Sequence, residues 1–353
     1  MTVDYIIVGQ GLAGSAVAVQ LLKRGKKVFV IDEPEKNNSS RIAAGLFNPI
    51  TGKKMVKTWL ADTLFPYLHA YYLDLQASSS ELFFHPLPLY RPFINVEEQN
   101  EWMARSADPV YKPYLQQVFS SPSGYPVNDP HGGILLKQCG YLDTSVYVTI
   151  VSERIQSAGV LQRQRFDATQ LRIGHDHVQY QDVEARKIIF CQGVHENPWF
   201  NWLPIRPLKG ETISVESAFQ APIIFNRGIY AVPGRDGSTW RIGATYHLND
   251  QEPSPTATAL EELQTKSDEL LMFPRKITGQ AWGFRPTVPD RRPLLGQHPA
   301  YAPLIIFNGL GTKGVSLAPY FSEVLVKWLE NNISINKLVD IERYKSLYSS
   351  SPK

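Results

Sequence analysis

The chain has 353 residues, 43% hydrophobic and 20% charged, which suits an ordinary folded protein and allows about two domains. Its 36 Lys and Arg against 33 Asp and Glu leave a net charge of +3, too weak to argue for a nucleic acid or an anionic membrane on charge alone. Two cysteines, Cys139 and Cys191, exclude a disulfide framework and a Cys-rich zinc site, and no apolar run is long enough for an ordinary spanning helix.

The start of the chain carries no basic leader with a separate apolar core, so it reads as structural and the expected location is a reducing, cytoplasmic one. Val3 to Val8 is a short β-branched run stopped by Gly9, the signature of a buried strand. Gly9-Gln10-Gly11-Leu12-Ala13-Gly14 then matches G-x-G-x-x-G and opens a helical stretch from Ser15 to Lys23. Gly25 ends that stretch, and Val28 to Ile31 reads as a second strand with Asp32 at its end. Each part has a physical job in holding a dinucleotide. Gly9 permits the tight turn, Gly11 lets a pyrophosphate approach the backbone, and Gly14 lets helix and strand pack closely. The helix start offers unpaired N–H groups to phosphate, and Asp32 can accept hydrogen bonds from a ribose. This motif alone does not separate NAD from FAD.

Next comes a loop from Ser39-Ser40-Arg41 through Gly45 to Asn48-Pro49. Lys53, Lys54 and Lys57 form a small basic cluster, expected on a solvated face and otherwise an entrance for a polyanionic substrate. Ser78-Ser79-Ser80 and the Pro/Ser-rich 120–130 stretch mark loops. His175-Asp176-His177 has metal-ligand residue types but reads as a hairpin turn, and no metal site is expected. Lys187 to Cys191 is another buried strand, followed by Gly193, with Cys191 a packing residue. Tyr230 to Pro233 and Gly243-Ala244-Thr245 flank Asp236-Gly237 as a hairpin turn. The 259–272 segment, with Leu260, Leu263, Leu270 and Leu271, reads as an amphipathic helix. Pro303 to Phe307 is a strand leading into Gly309-Leu310-Gly311-Thr312-Lys313-Gly314 and a helix from Val315 to Leu329. No G-x-S-x-G elbow is present for a hydrolase.

These motifs, in this order, resemble the D-amino-acid oxidase superfamily of FAD-dependent amine oxidoreductases, which includes glycine oxidase and sarcosine oxidase. The Ser39–Pro49 loop and the glycine-rich ending look most like the tRNA-modifying branch; the Asp236-Gly237 hairpin looks most like glycine oxidase. The resemblance implies an α/β, two-domain protein: a Rossmann-type FAD-binding domain from 1–75, 136–208 and 277–353, and an antiparallel-sheet substrate domain from 76–135 and 209–276. It implies FAD as cofactor, and Gly283 stands where sarcosine oxidase attaches its flavin through cysteine, so the link here should be non-covalent. Gly9, Gly11, Gly14 and Asp32 would hold the ADP half. Ser40, Arg41, Gly45, Gly309, Gly311 and Gly314 would lie along the riboflavin half, and Gly193 and Thr312 are further cofactor-binding residues.

The implied chemistry is oxidation of the C–N bond of an amino acid or secondary amine by hydride transfer to flavin N5. It asks mainly that the protein position the substrate. Arg285, in Gly283-Phe284-Arg285-Pro286, matches the carboxylate-binding arginine of glycine oxidase, and a guanidinium offers two parallel donors to a carboxylate. Lys313 falls where sarcosine oxidase has a carboxylate-binding lysine, with contact to the flavin alone as the other role. Tyr230 matches a pocket tyrosine of glycine oxidase, and Tyr246 stands near the same hairpin. The expected partner is therefore a small-molecule amine, with no membrane. Alternatives are removal of a carboxymethyl group from a modified tRNA nucleoside, and a flavoprotein that oxidises no amine.

Overall fold

A computed structural model describes residues 1–33, 39–52 and 54–350, the side chains of 349 and 350 excepted. The chain divides into two compact units, 1–42 with 144–208 and 284–353, and 43–143 with 209–283.

The first unit is built on strands Val160–Arg163, Val28–Asp32, Thr2–Val8, Val183–Phe190 and Leu304–Asn308, side by side and all parallel. Leu294–Gln297 adds antiparallel to the last of them. The hairpin Leu171–Ile173/Val178–Tyr180 pairs antiparallel with the start of the 183–190 strand, whose end pairs with 304–306 instead. Strands buried on both faces read as continuous apolar runs, and Tyr5-Ile6-Ile7-Val8 and Val28 to Ile31 are all buried.

The helix after the first strand is Leu12–Leu22, three residues earlier at its start than its sequence suggests, because Gly11 is the N-cap and Gly14 lies inside the first turn. It is buried from Leu12 to Leu21 and packs against helices Thr144–Ala158 and Gly314–Asn331. A helix apolar on every side belongs inside a unit, not on its surface. No helix among the described residues is long and apolar enough to cross a membrane.

The second unit holds a mostly antiparallel sheet in the order 276–287, 206–216, 239–243, 229–233, 224–227, 89–92, 133–136, 115–119. One pairing, Ile224–Arg227 with Leu89–Pro92, is parallel. Its two longest strands pass into the first unit at Leu208 and Phe284. The core stacks Phe219, Phe225, Trp240 and Phe273, with ring centroids 4.7 Å apart for Phe219–Phe273 and 5.8 Å for Phe219–Trp240. Helix Ala257–Leu270 buries Leu263 and Leu270; Thr256 caps it and Leu271, in extended backbone, ends it.

Residues 43–75, 136–143 and 277–283 group with this second unit, not with the first, where the resemblance puts them. The physical cause is local pairing: Leu46–Phe47 pairs with Gly140–Leu142, which pairs with Phe84–Pro86 in a three-stranded sheet.

Candidate functional site

At the first glycine turn the backbone leaves no room for a side chain at Gly9 or Gly14. Gly9 has φ +92°, and its N–H donates to the Ile31 carbonyl at 2.8 Å. A Cβ on Gly14 would stand 1.8 Å from the Gly9 carbonyl oxygen. Gly11 brings no side-chain cap to the helix start, and Ser40 Oγ instead accepts the Leu12 N–H at 3.1 Å. Arg41 follows Ser40 on the short helix Ser39–Ile42.

Asp32 ends the second strand as a buried carboxylate. Its Oδ1 accepts the Gln10 backbone N–H at 2.7 Å, and its Oδ2 pairs with Arg163 Nη1 at 3.1 Å. Burial pushes the carboxyl above the usual range, partly offset by the Gln10 N–H and by the charges of Arg163 and Arg41. Gln10, Ser152 and Arg163 extend this into a network, with Ser152 Oγ to Gln10 Oε1 at 2.7 Å and Arg163 Nη2 to Ser152 Oγ at 3.0 Å. Sequence reasoning missed all three. Gln10 sits at an unspecified position of the motif, and Ser152 and Arg163 join it only through the fold.

A second set of loops in this unit follows the ends of strands 183–190 and 304–308. Asn308, also missed, ties them together. Its Nδ2 donates to the Gly193 carbonyl at 2.8 Å and its Oδ1 accepts the Gly309 N–H at 2.8 Å. Gly311 N–H donates to the Pro286 carbonyl at 2.9 Å, which joins the Gly309–Lys313 loop to the segment carrying Arg285. Thr312 is exposed, whereas Lys313 and Arg285 are half-buried. Lys313 is the N-cap of helix Gly314–Asn331, and burial, with the neighbouring Arg291 charge, lowers its amine below the usual lysine range. A Cβ on Gly314 would stand 2.9 Å from Leu12 Cδ1, so the starts of the two long helices meet. Bare peptide, two adjacent helix N-termini and a buried carboxylate form a donor and acceptor set suited to the pyrophosphate and ribose of a dinucleotide.

In the second unit, Gly45 has φ +69°, and a Cβ there would lie 1.8 Å from the Leu142 carbonyl oxygen, so close backbone packing itself demands this glycine. Tyr230 stands across from Gly243, where a Cβ would meet the tyrosine Oη at 2.9 Å. Tyr246 is 55% exposed. Lys57 pairs with Asp62 at 2.7 Å and Lys54 is exposed, while Lys53 lies outside the described residues. His175-Asp176-His177 does form the turn between strands 171–173 and 178–180. Among the described residues no cluster suited to a metal ion occurs. Cys191 is buried and its thiol is pushed well up by burial, the state of a packing residue.

Comparison with known proteins identifies the family of the chain. A family model described as FAD dependent oxidoreductase, DAO, matches residues 4–328. The bifunctional protein ThiO/ThiG of Trichormus variabilis is 26% identical over 93% of this chain and 53% of its own length. This chain thus spans about half the length of that relative. Glycine oxidase of Pseudomonas aeruginosa is 23% identical over 90% of this chain and 92% of its own. The crystal structure of iminodiacetate oxidase from a Chelativorans species superimposes with a TM-score of 0.79 at 19% identity, covering 97% of this chain and 98% of that one. With the family match spanning the βαβ turn, the buried acid and the closing glycine loop alike, the chain belongs to the DAO family of FAD-dependent oxidoreductases.

Proposed function

We propose that this enzyme oxidises the C–N bond of an amino acid or secondary amine. The observation that carries the reading is the 2.9 Å hydrogen bond from Gly311 N–H to the Pro286 carbonyl, which joins the loop of Lys313 to the segment of Arg285. Two cationic side chains on joined segments beside a helix N-terminus suit a substrate whose far end is a carboxylate. Relatives named glycine oxidase and iminodiacetate oxidase act on small amines that carry carboxylates.

When bound, FAD supplies the hydride acceptor; the residues of the chain bind and orient. In this reading the backbone from Gly9 through Gly11 to Gly14 and the Asp32 carboxylate hold the ADP half. Ser40, Arg41, Gly309, Gly311 and Gly314 line the riboflavin half, with Gly193 and Thr312 as further cofactor contacts. Arg285 grips the substrate carboxylate through paired N–H donors, and Lys313 adds a second positive charge. Tyr230 and Tyr246, in the second unit, are assigned to the substrate by the resemblance alone. The imine product is then hydrolysed by water, releasing ammonia or a primary amine.

The test is anaerobic titration of the yellow protein with a panel of D-amino acids, N-methyl amino acids, glycine and a carboxymethylaminomethyl nucleoside. Loss of visible flavin absorbance with an amino acid or amine is expected. If dithionite bleaches the flavin and no member of the panel does, amine oxidation is the wrong reading. Bleaching by the nucleoside alone transfers the assignment to tRNA modification.

A further inference from the structure

The polar network behind Asp32 has no role in the reading so far, yet it is built with unusual completeness. Strand Val160–Arg163 pairs parallel with Val28–Asp32, and the register sets Arg163 directly beside Asp32 at the strand ends. The Arg163 guanidinium reaches Asp32 Oδ2 at 3.1 Å, Gln10 Oε1 at 3.4 Å and Ser152 Oγ at 3.0 Å. Gln10 is held in turn, its Nε2 donating to the Val148 carbonyl at 2.8 Å. Gln10, Asp32 and Ser152 are buried, while the Arg163 side chain keeps 35% of its surface exposed.

We propose that Arg163 is the positioning residue of the ribose-binding carboxylate: its guanidinium keeps Asp32 ionised and aimed, so that pH governs how firmly this chain retains FAD. The inference rests on the reading above that Asp32 binds the adenosine ribose. A carboxylate taken out of water favours its neutral form, and a neutral carboxyl is the weaker acceptor of a ribose hydroxyl. Three features resist neutralisation at Asp32. They are the Gln10 N–H from the glycine turn, Arg163 from the adjacent strand and Arg41 from the helix Ser39–Ile42. Glu33, next in the chain, is exposed. Of these, Arg163 alone combines full charge with a direct contact to the carboxylate.

The direction follows from the carboxyl chemistry. Affinity is full where Asp32 is ionised and falls as pH drops through its titration. Removing the Arg163 charge raises that titration, so affinity is lost at a higher pH than in the parent.

The test is FAD titration of the apo-protein from pH 5 to 8.5, for the parent, Arg163→Met, Arg163→Lys, Asp32→Asn and the Asp32→Asn/Arg163→Met double variant. Arg163→Met should bind FAD several-fold more weakly near the low end and approach the parent near pH 8.5. Arg163→Lys, which keeps the charge, should stay within about threefold of the parent. Asp32→Asn should be weak at every pH, and the double variant should show no added pH dependence. A loss in Arg163→Met that is uniform across pH, or absent, overturns the role of Arg163. If Asp32→Asn instead binds as tightly as the parent throughout, the ribose reading of Asp32 itself fails.

Discussion

Lys209 and Glu211 stand two residues apart on one strand, both fully buried, with Nζ 3.3 Å from Oε1. Positions i and i+2 share a face of a strand, so the pair is intrinsic to the chain's geometry. The surroundings complete the acid's hydrogen bonding. Thr256 N–H and Oγ donate to it at 3.0 and 2.9 Å, and Gln280 Nε2 donates at 2.7 Å. Asp250 gives Lys209 a second anion at 2.9 Å.

Glu211→Ala should therefore destabilise the second unit far more than the loss of an exposed ion pair would. It leaves the buried Lys209 ammonium with Asp250 as its remaining anion and strips the Thr256 and Gln280 donors of their acceptor, at a cost of about 1–3 kcal/mol. Urea unfolding checks this. A midpoint close to that of the parent would mean that the site relaxes and admits water.

Much of the first unit is legible in the sequence because its signals are local. Gly9, Gly14 and Asp32 fall within one βαβ stretch, where periodicity and spacing report directly on structure. The hairpin around Asp236-Gly237 is legible for the same reason. Arg163, Ser152 and Asn308 are different. Each is an ordinary polar residue until the fold brings it to Asp32, Gln10 or Gly193, and no single-sequence pattern reports such a pairing. Gly45 shows the converse. Its motif context suggests a ligand, but the Leu142 carbonyl alone is enough to require a glycine.

Asp32→Ala should weaken FAD binding by about 1.5–3 kcal/mol, the worth of hydrogen bonds to a charged acceptor, while the fold survives. Survival is expected because the carboxylate is at a strand end and its partner Arg163 can turn to solvent. Titration of the apo-protein with FAD decides it. An unchanged dissociation constant would move the ribose contact to another group.

Acid precipitation should release all of the FAD into the supernatant. The basis is the resemblance, which puts Gly283 where sarcosine oxidase carries its attachment cysteine, and a glycine offers no nucleophile. Both cysteines of the chain are buried, and neither is adjacent in sequence to that position. Flavin fluorescence retained in the washed pellet would contradict the non-covalent assignment.

Arg285→Met should cripple turnover of a carboxylate-bearing amine while leaving flavin binding nearly intact. Methionine preserves an unbranched apolar stem, so the missing charge dominates over lost packing. A substrate carboxylate left buried without its bidentate partner should cost about 3–5 kcal/mol, or roughly 100- to 5,000-fold in kcat/KM. The corresponding simple amine, which lacks the carboxylate, should suffer far less because it never used the pair. Lys313→Met supplies the contrast. The lowered Lys313 amine loses its charge at a lower pH than an ordinary lysine, so any share it has in carboxylate binding fades as pH rises, and the variant should lack that fading. Steady-state kinetics with the two substrates across pH separate the roles. If Arg285→Met slows both substrates equally, Arg285 serves the fold or the flavin, and Lys313 becomes the leading carboxylate partner.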